Sequence, residues 1–231
     1  MFCGKYKFAE IVVEICSIYD QVQKMCRDYI SDEEAQMKIT VTSQMIDFER
    51  GDSDYDDAYL ETLAVYRAFC EKAIEQNVLL FHGSAVAVDN EAYVFAAKSG
   101  TGKSTHVSFW QELLGDRAVV INDDKPLIRI KDDKAFVYGS PWQGKHDKGN
   151  NVSFPLKAVC FLERGGTNEI FPVSFSAAYP KLCKHSYYKD DKAYLLTLFS
   201  LFDKMKQVSF YEMKCKPDLD SARMAYETMK G

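Results

Sequence analysis

The stretch that decides the fold reads Tyr93-Val-Phe-Ala-Ala-Lys-Ser-Gly-Thr-Gly-Lys-Ser-Thr105. It begins with an apolar run, continues through a turn that contains Gly100 and Gly102, and ends in Lys-Ser-Thr, which opens an amphipathic segment. A strand, a glycine-bearing turn and a helix in this order are the context in which a phosphate-binding loop occurs. The pattern therefore predicts a strand over residues 92–97, a phosphate-binding loop, and a helix that ends at Gly115.

Residues 99–105 of this loop would bind the phosphates of a nucleotide. Their backbone N–H groups would surround the β- and γ-phosphates of a nucleotide, because the two glycines allow a positive φ and a close approach of the backbone. The predicted nucleotide-binding residues are Ser99, Gly100, Thr101, Gly102, Lys103, Ser104 and Thr105. In such a loop the lysine neutralises the phosphates and the serine binds Mg²⁺. The general pattern has a glycine where this chain has Ala97, so a glycine-rich turn without a ligand is the alternative.

Asp123 and Asp124 form the second group of candidate residues. They follow the apolar run Val119-Val-Ile121, so we expect them at the end of a strand, on the rim of the sheet. Metal-assisted phosphoryl transfer needs a carboxylate near Mg²⁺, and often a base that takes the proton of the acceptor hydroxyl. Two adjacent aspartates can divide these roles. The alternative for such a pair is a solvated turn.

Basic residues outside the loop supply further candidates. His82 lies just inside a predicted hairpin, where a purely structural histidine is the alternative. Lys145 and His146 belong to the polar, glycine-bearing segment 139–151, and there they could contact the transferring phosphate or the acceptor. The alternative for these two is a solvated surface turn. Arg164 follows a predicted strand at 158–162 and is a weaker candidate for a clamp on phosphate charge.

The remaining pattern predicts an α/β fold with a mixed, largely antiparallel sheet around the loop and with helical additions. Strands at 79–88 and 92–97 are joined by Asp89-Asn90, residue types that tolerate the positive φ of a tight hairpin. A second hairpin, of strands at 126–130 and 135–138, turns at Asp132-Asp133. We expect residues 1–77 to form an N-terminal α/β extension packed on a core of residues 78–231, whose C-terminal region is helical.

Composition narrows the class of partner. The 231 residues are 47% hydrophobic and carry a net charge of −5, which argues against nucleic acid and against anionic membranes as partners. No apolar run reaches membrane-spanning length and the N-terminus lacks a signal-peptide core, so we expect a cytoplasmic protein. The seven cysteines show no C-x-x-C spacing, which favours reduced thiols over a disulfide or zinc framework. The sequence leaves open whether the chain forms a homo-oligomer.

The order of these residues resembles a known family. His82-Gly83, a hairpin, the Ser-Gly-Thr-Gly-Lys-Ser loop and Asn-Asp-Asp at a strand end are similar to the catalytic domain of HPr kinase/phosphorylase and of ATP-dependent phosphoenolpyruvate carboxykinases. The resemblance covers roughly residues 78–165 and is strongest to short stand-alone HPr-kinase-like proteins. It implies ATP and Mg²⁺ as cofactors, Asp123 as base toward a serine hydroxyl, Asp124 and Ser104 as metal partners, and His82 lining the site. The chain lacks the family's HPr-gripping signature, so HPr itself is not the expected acceptor.

The preferred function is therefore an ATP- and Mg²⁺-dependent kinase that transfers the γ-phosphate to a hydroxyl, with serine favoured, of a small protein, a peptide or a small metabolite. Its predicted catalytic residues are Asp123, Lys103, His82 and Lys145. One alternative is a nucleotide-binding regulatory module that transfers no phosphate. Another is a carboxykinase-type enzyme, which would need a second metal site that the sequence does not show.

Overall fold

A computed structural model describes residues 1–144 and 148–231. The chain divides into two compact units, Met1–Val78 and Leu79–Gly231. Each unit contains its own sheet and its own helices. No helix in the described ranges combines the length and the apolar character that crossing a membrane requires.

The first unit is a three-stranded sheet with helices. The order β1-β2-β3 joins one antiparallel pair to one parallel pair. Asp56 caps the long third helix, because its side chain accepts a hydrogen bond from the N–H of Tyr59. The elements are β1 Phe2–Phe8, β2 Ile11–Ser17, α1 Gln21–Met25, β3 Met37–Thr40, α2 Ser43–Arg50 and α3 Asp57–Ala73.

The expectation that all cysteines are reduced thiols is wrong in this unit. Cys3 and Cys16 form a disulfide. The two residues face each other directly in the antiparallel pair of β1 and β2, and their Cα atoms are 4.1 Å apart. The strand pairing thus brings together two cysteines whose sequence separation of 13 residues carries no recognisable motif.

The second unit is built on one large mixed sheet. Its strands follow the order β4-β8-β9-β10-β6-β5-β7, and β12 pairs with both β10 and β11. Most of these pairs are antiparallel, whereas β10 runs parallel to β6 and to β12, which confirms the predicted fold class. The strands are β4 Val78–Leu80, β5 Ser84–Val88, β6 Glu91–Ala96, β7 Ala118–Asn122, β8 Leu127–Lys131, β9 Lys134–Tyr138, β10 Ser153–Arg164, β11 Glu169–Val173 and β12 Ser209–Cys215.

Both predicted hairpin turns are confirmed. Asp89 and Asn90 have φ values of 51° and 66°, and Asp132 and Asp133 have φ values of 48° and 56°. The prediction of one continuous strand over residues 79–88 is wrong, because β4 ends at Leu80 and β5 begins at Ser84. Between them the backbone turns to other partners: the N–H of His82 donates to the carbonyl of His185, and that of Gly83 donates to the carbonyl of Asp124.

The α-helices in the described part of the second unit are α4 Lys103–Leu114, α5 Phe175–His185, α6 Lys192–Asp203 and α7 Leu219–Met229. The fully buried Trp110 of α4 contacts the rings of Tyr93 and Phe95 on β6 and of Tyr226 on α7. Aromatic side chains of this size dominate the apolar area buried in a core. These contacts pack α4, the helix that follows the glycine-bearing loop, against β6 and α7.

Candidate functional site

The glycine-bearing loop connects the end of β6 at Ala96 to the start of α4 at Lys103. Gly100 and Gly102 have φ values of 77° and 116°, so the predicted positive φ is present at both glycines. The first N–H groups of α4 have no carbonyl partner within the helix, as at any helix start. The loop thus presents backbone donors at the positive end of a helix dipole, where an anion is stabilised.

Lys103 is the buried cation of this site, with only 8% of its surface exposed. Its Nζ lies 3.3 Å from Nε2 of His82 and donates to the carbonyl of Ala97 over 3.4 Å. Burial lowers the pKa of Lys103, and the negative charge of Asp124 acts in the opposite direction. Among the described residues Lys103 makes no direct ion pair with a carboxylate, so an anionic ligand at this position would stabilise its charge.

Asn122, the last residue of β7, shapes the turn that carries the two aspartates. Its Oδ1 accepts hydrogen bonds from the N–H groups of Asp124 and Lys125, at 2.9 Å and 2.6 Å. Its Nδ2 donates to the carbonyl of Ser140 over 3.0 Å. Asn122 is fully buried, so these bonds satisfy its polar atoms and tie the end of β7 to the segment that follows β9.

The two aspartate side chains have different surroundings. Asp123 is 3% exposed, and its Oδ1 accepts a hydrogen bond from the N–H of Gly144 over 2.7 Å. Asp124 is less buried; its Oδ1 lies 3.3 Å from Nε2 of His82, and its Oδ2 contacts Lys125 Nζ. Burial raises the pKa of Asp124, but the hydrogen bonds from His82 and Lys125 outweigh it and bring that pKa to about 2. Asp124 is therefore ionised at physiological pH.

His82 lies between the lysine of the loop and the carboxylate of Asp124. The same ring nitrogen, Nε2, lies 3.3 Å from Lys103 Nζ and 3.3 Å from Asp124 Oδ1. One imidazole nitrogen either accepts a hydrogen bond or donates one. Nε2 can therefore accept from Lys103 or donate to Asp124, but it cannot do both at once.

His185 is a residue of this region that the sequence did not reveal. Its ring lies 6.2 Å from the ring of His82, and its carbonyl accepts the N–H of His82 over 2.6 Å. Burial lowers the pKa of His185 to about 4, helped by the nearby His82, so its imidazole is neutral at physiological pH. Its place in a helix far along the chain gave no local signal that it meets His82.

Ser104 and Asp124 carry side-chain oxygen atoms of the kind that Mg²⁺ prefers. The Ser104 hydroxyl donates to the carbonyl of Asp123 over 3.5 Å, a long contact that leaves this oxygen available. Within residues 1–144 and 148–231 no three His, Cys, Asp or Glu side chains form a metal-binding group. Mg²⁺ is usually bound through one or two protein oxygens together with substrate phosphates, so the residues present fit a metal that arrives with a nucleotide.

The other residues predicted for the site do not all lie at the loop. Ser99 and Thr105 are exposed on the loop and at the start of α4. Arg164 donates to the carbonyls of Gly100 and Thr101. Lys145 and His146 lie outside the described residues. The histidine inside α4, His106, faces the core instead: Trp110 Nε1 donates to its Nε2 over 3.2 Å.

Comparisons with known proteins place the chain in a family. No curated protein matches it. Among solved structures it is similar to the Hpr(Ser) kinase/phosphatase from Coxiella burnetii, with 8% sequence identity, a TM-score of 0.35, and coverage of 66% of this chain and 99% of that chain. A family model, described as SynChlorMet cassette protein ScmC, matches residues 50–207, more than half of the chain. The chain therefore belongs to the ScmC family of SynChlorMet cassette proteins.

Proposed function

We propose that this protein is an ATP- and Mg²⁺-dependent kinase that transfers the γ-phosphate to a hydroxyl, with serine favoured, of a small protein, a peptide or a small metabolite. The observation that carries the proposal is the position of Lys103. Its buried side chain stands where the loop enters α4, and its Nζ lies 3.3 Å from Nε2 of His82, which in turn lies 3.3 Å from Oδ1 of the ionised Asp124. A phosphate cradle, a cation and a carboxylate in one place are the parts that phosphoryl transfer requires.

Nucleotide binding would begin at the loop. The β- and γ-phosphates would accept hydrogen bonds from the N–H groups of Ser99 to Thr105, and Lys103 would turn from His82 to the phosphate oxygens. With Lys103 turned away, the tautomer of His82 that carries its proton on Nε2 would donate to Asp124 Oδ1, which is 3.3 Å from that nitrogen. His82 would then hold the Asp124 carboxylate in a fixed orientation during the reaction.

Mg²⁺ would be held by Ser104 and Asp124 together with phosphate oxygens. An aspartate with a pKa of about 2 stays ionised, which suits a hard divalent cation. The metal would neutralise the charge that develops between the β- and γ-phosphates. The approach of this cation would also draw Asp124 away from its contact with Lys125.

Asp123 would act as the base, and the structure adds a condition to this role. Its carboxylate lies against Gly144: a Cβ placed on that glycine would be 3.1 Å from both carboxylate oxygens. An acceptor hydroxyl that bound to Asp123 Oδ1 would replace the hydrogen bond from the N–H of Gly144. Lys145, which lies outside the described residues, keeps its predicted role of contacting the acceptor or the phosphate.

The resemblance of the residue order to HPr kinase/phosphorylase supports the same class of reaction. The regulatory-module alternative needs the loop and Lys103 but has no use for a base. Asp123 thus separates the two functions.

The test uses γ-labelled ATP with Mg²⁺ and purified full-length protein, offered free serine, serine peptides and small proteins as acceptors. Label in an acceptor supports the kinase. With that acceptor, Asp123→Asn should still bind ATP while transfer falls by about 10²–10⁴-fold, the usual effect of losing a positioned base. Asp124→Asn should instead raise the Mg²⁺ concentration needed for half-maximal rate. Asp116→Asn, which changes an exposed carboxylate beyond α4, is the matched control.

Two results would change the conclusion. If the phenotypes of the two variants are exchanged, the roles of Asp123 and Asp124 are exchanged and the kinase stands. If ATP binds tightly but neither substitution slows transfer to the identified acceptor, the mechanism fails and the regulatory module takes its place.

A further inference from the structure

The direction of the strands places three groups on one edge of the sheet. β5 is antiparallel to both β6 and β7, so β6 and β7 run in the same direction, and β10 is parallel to β6. The C-terminal ends of β7, β6 and β10 therefore meet at one edge, the usual place of ligands in open α/β sheets. The aspartate pair follows β7, the glycine loop follows β6, and Arg164 ends β10.

Arg164 reaches the loop because β10 is longer than its neighbour. Phe161 pairs with Ala96, the last residue of β6, and Arg164 lies beyond it by three residues, or about 10 Å of strand. Its guanidinium donates to the carbonyl of Gly100, and its Nε donates to the carbonyl of Thr101 over 3.4 Å. Arg164 is exposed, and none of its contacts in the described ranges is with a carboxylate.

These contacts bear on the direction in which the loop amides point. A loop that aims its N–H groups at a phosphate must turn carbonyls away from it, and outward carbonyls are stabilised by a donor. The planar guanidinium can bond two such carbonyls at once. Its charge also lies beside the cradle, where a polyphosphate would bring several negative charges.

We propose that Arg164 is a positioning residue of the nucleotide site: it holds the carbonyls of Gly100 and Thr101 outward and faces the α-phosphate side of the bound nucleotide. This inference rests on the proposed function. The reacting γ-phosphate must lie toward Asp123 and Asp124, on the β7 side of the loop. The α-phosphate and the nucleoside then lie on the opposite side, at the end of β10, where Arg164 stands.

The experiment compares ligands with and without the γ-phosphate. Calorimetry measures Mg-ATP and Mg-ADP binding to the wild type, Arg164→Gln, Arg164→Lys and Lys103→Ala. Arg164→Gln should weaken both nucleotides by the same factor, about tenfold for one lost charge-assisted contact. Lys103→Ala should weaken ATP more than ADP, because this lysine reaches the β- and γ-phosphates. Arg164→Lys keeps the charge and should fall between the wild type and Arg164→Gln.

A second measurement needs no nucleotide. Hydrogen exchange of the amides from Lys98 to Gly102 should be faster in Arg164→Gln than in the wild type. The substitution removes the two hydrogen bonds that the guanidinium donates to carbonyls of the loop. The matched control is Arg117→Gln, since Arg117 is also exposed and donates to Asp89 and Tyr226. This control should leave both loop exchange and nucleotide affinity unchanged.

The results distinguish a failure of the role proposed for Arg164 from a failure of the proposed kinase function. Unchanged loop exchange in Arg164→Gln overturns the anchoring role, and a loss for ATP that exceeds the loss for ADP overturns the orientation. A wild type that binds neither nucleotide overturns the proposed function and the α-phosphate contact together. Even then, the exchange comparison decides whether Arg164 holds the loop.

Discussion

At the scale of the residue, Lys103 is the most sensitive test of the nucleotide site. Lys103→Ala removes a buried charge from a cradle that suits a polyanion, so Mg-ATP affinity should fall about ten- to a hundredfold. Lys98→Ala is the matched control, because Lys98 is an exposed cation of the same loop. Calorimetry on both folded variants decides: equal affinities for Lys103→Ala and the wild type would contradict a phosphate-binding loop.

His106 makes stability depend on pH. Burial lowers its folded-state pKa from 6.5 to about 4. As the pH falls through 6.5, the imidazole of His106 is protonated in the unfolded chain but stays neutral in the folded one. The free energy of unfolding therefore decreases between pH 6.5 and about 4. His106→Gln should remove about 2 kcal/mol of the loss between pH 7 and pH 5. Urea unfolding followed by the fluorescence of Trp110 and Trp142 measures it, and an unaltered pH slope would argue against a neutral buried imidazole.

Residue-level features that depend on local conformation could be predicted from the sequence. Gly102 and Asn90 have the positive φ that their residue types favour, and these preferences operate over a few neighbouring residues. The contacts of Asp123 with Gly144 and of His82 with His185 could not be predicted. They join segments that are distant in sequence, and no spacing rule links such residues before the sheet is assembled.

At the scale of the element, the two ends of α4 allow a controlled test of the loop. Gly102 and Gly115 flank the helix, both have positive φ, and neither would bring a Cβ within 4 Å of another atom. Alanine at either position should therefore cost about 1–2 kcal/mol of backbone strain. Only Gly102→Ala should also weaken Mg-ATP binding, because it alone disturbs the direction of the loop amides. Parallel unfolding and binding measurements test this, and equal losses of affinity in both variants would refute it.

Strands and helices with strong short-range signals were predictable, whereas weak ones were not. The hairpins of β5 with β6 and of β8 with β9 combine apolar runs with turn residues. β11 gave no such signal: it is mostly exposed, contains Pro172, and pairs only with β12 among the described strands. Its strand conformation comes from pairing with β12, about forty residues later, so tertiary contact rather than local preference determines it.

At the scale of the whole molecule, the candidate residues and the disulfide belong to different units. Every described residue assigned to the nucleotide site lies in Leu79–Gly231, whereas Cys3 and Cys16 lie in Met1–Val78. The seven cysteines looked alike in sequence, because only the register of β1 against β2 brings two of them together. Stability and nucleotide binding can therefore be changed by separate substitutions.

The double variant Cys3→Ser/Cys16→Ser tests this separation. A cross-link that closes a loop of this size restricts the unfolded chain, and its loss should cost about 3 kcal/mol. Hydrogen exchange of the β1 and β2 amides should become faster in the double variant, as it should in wild-type protein treated with a reductant. Mg-ATP affinity should stay unchanged, because no proposed ligand lies in β1 or β2.

The single variant Cys26→Ser, which changes a buried free thiol of the same unit, distinguishes loss of the cross-link from loss of a cysteine. Equal exchange in the wild type and the double variant would show that the bond adds no stability, and a fall in ATP affinity would contradict the separation of stability from nucleotide binding.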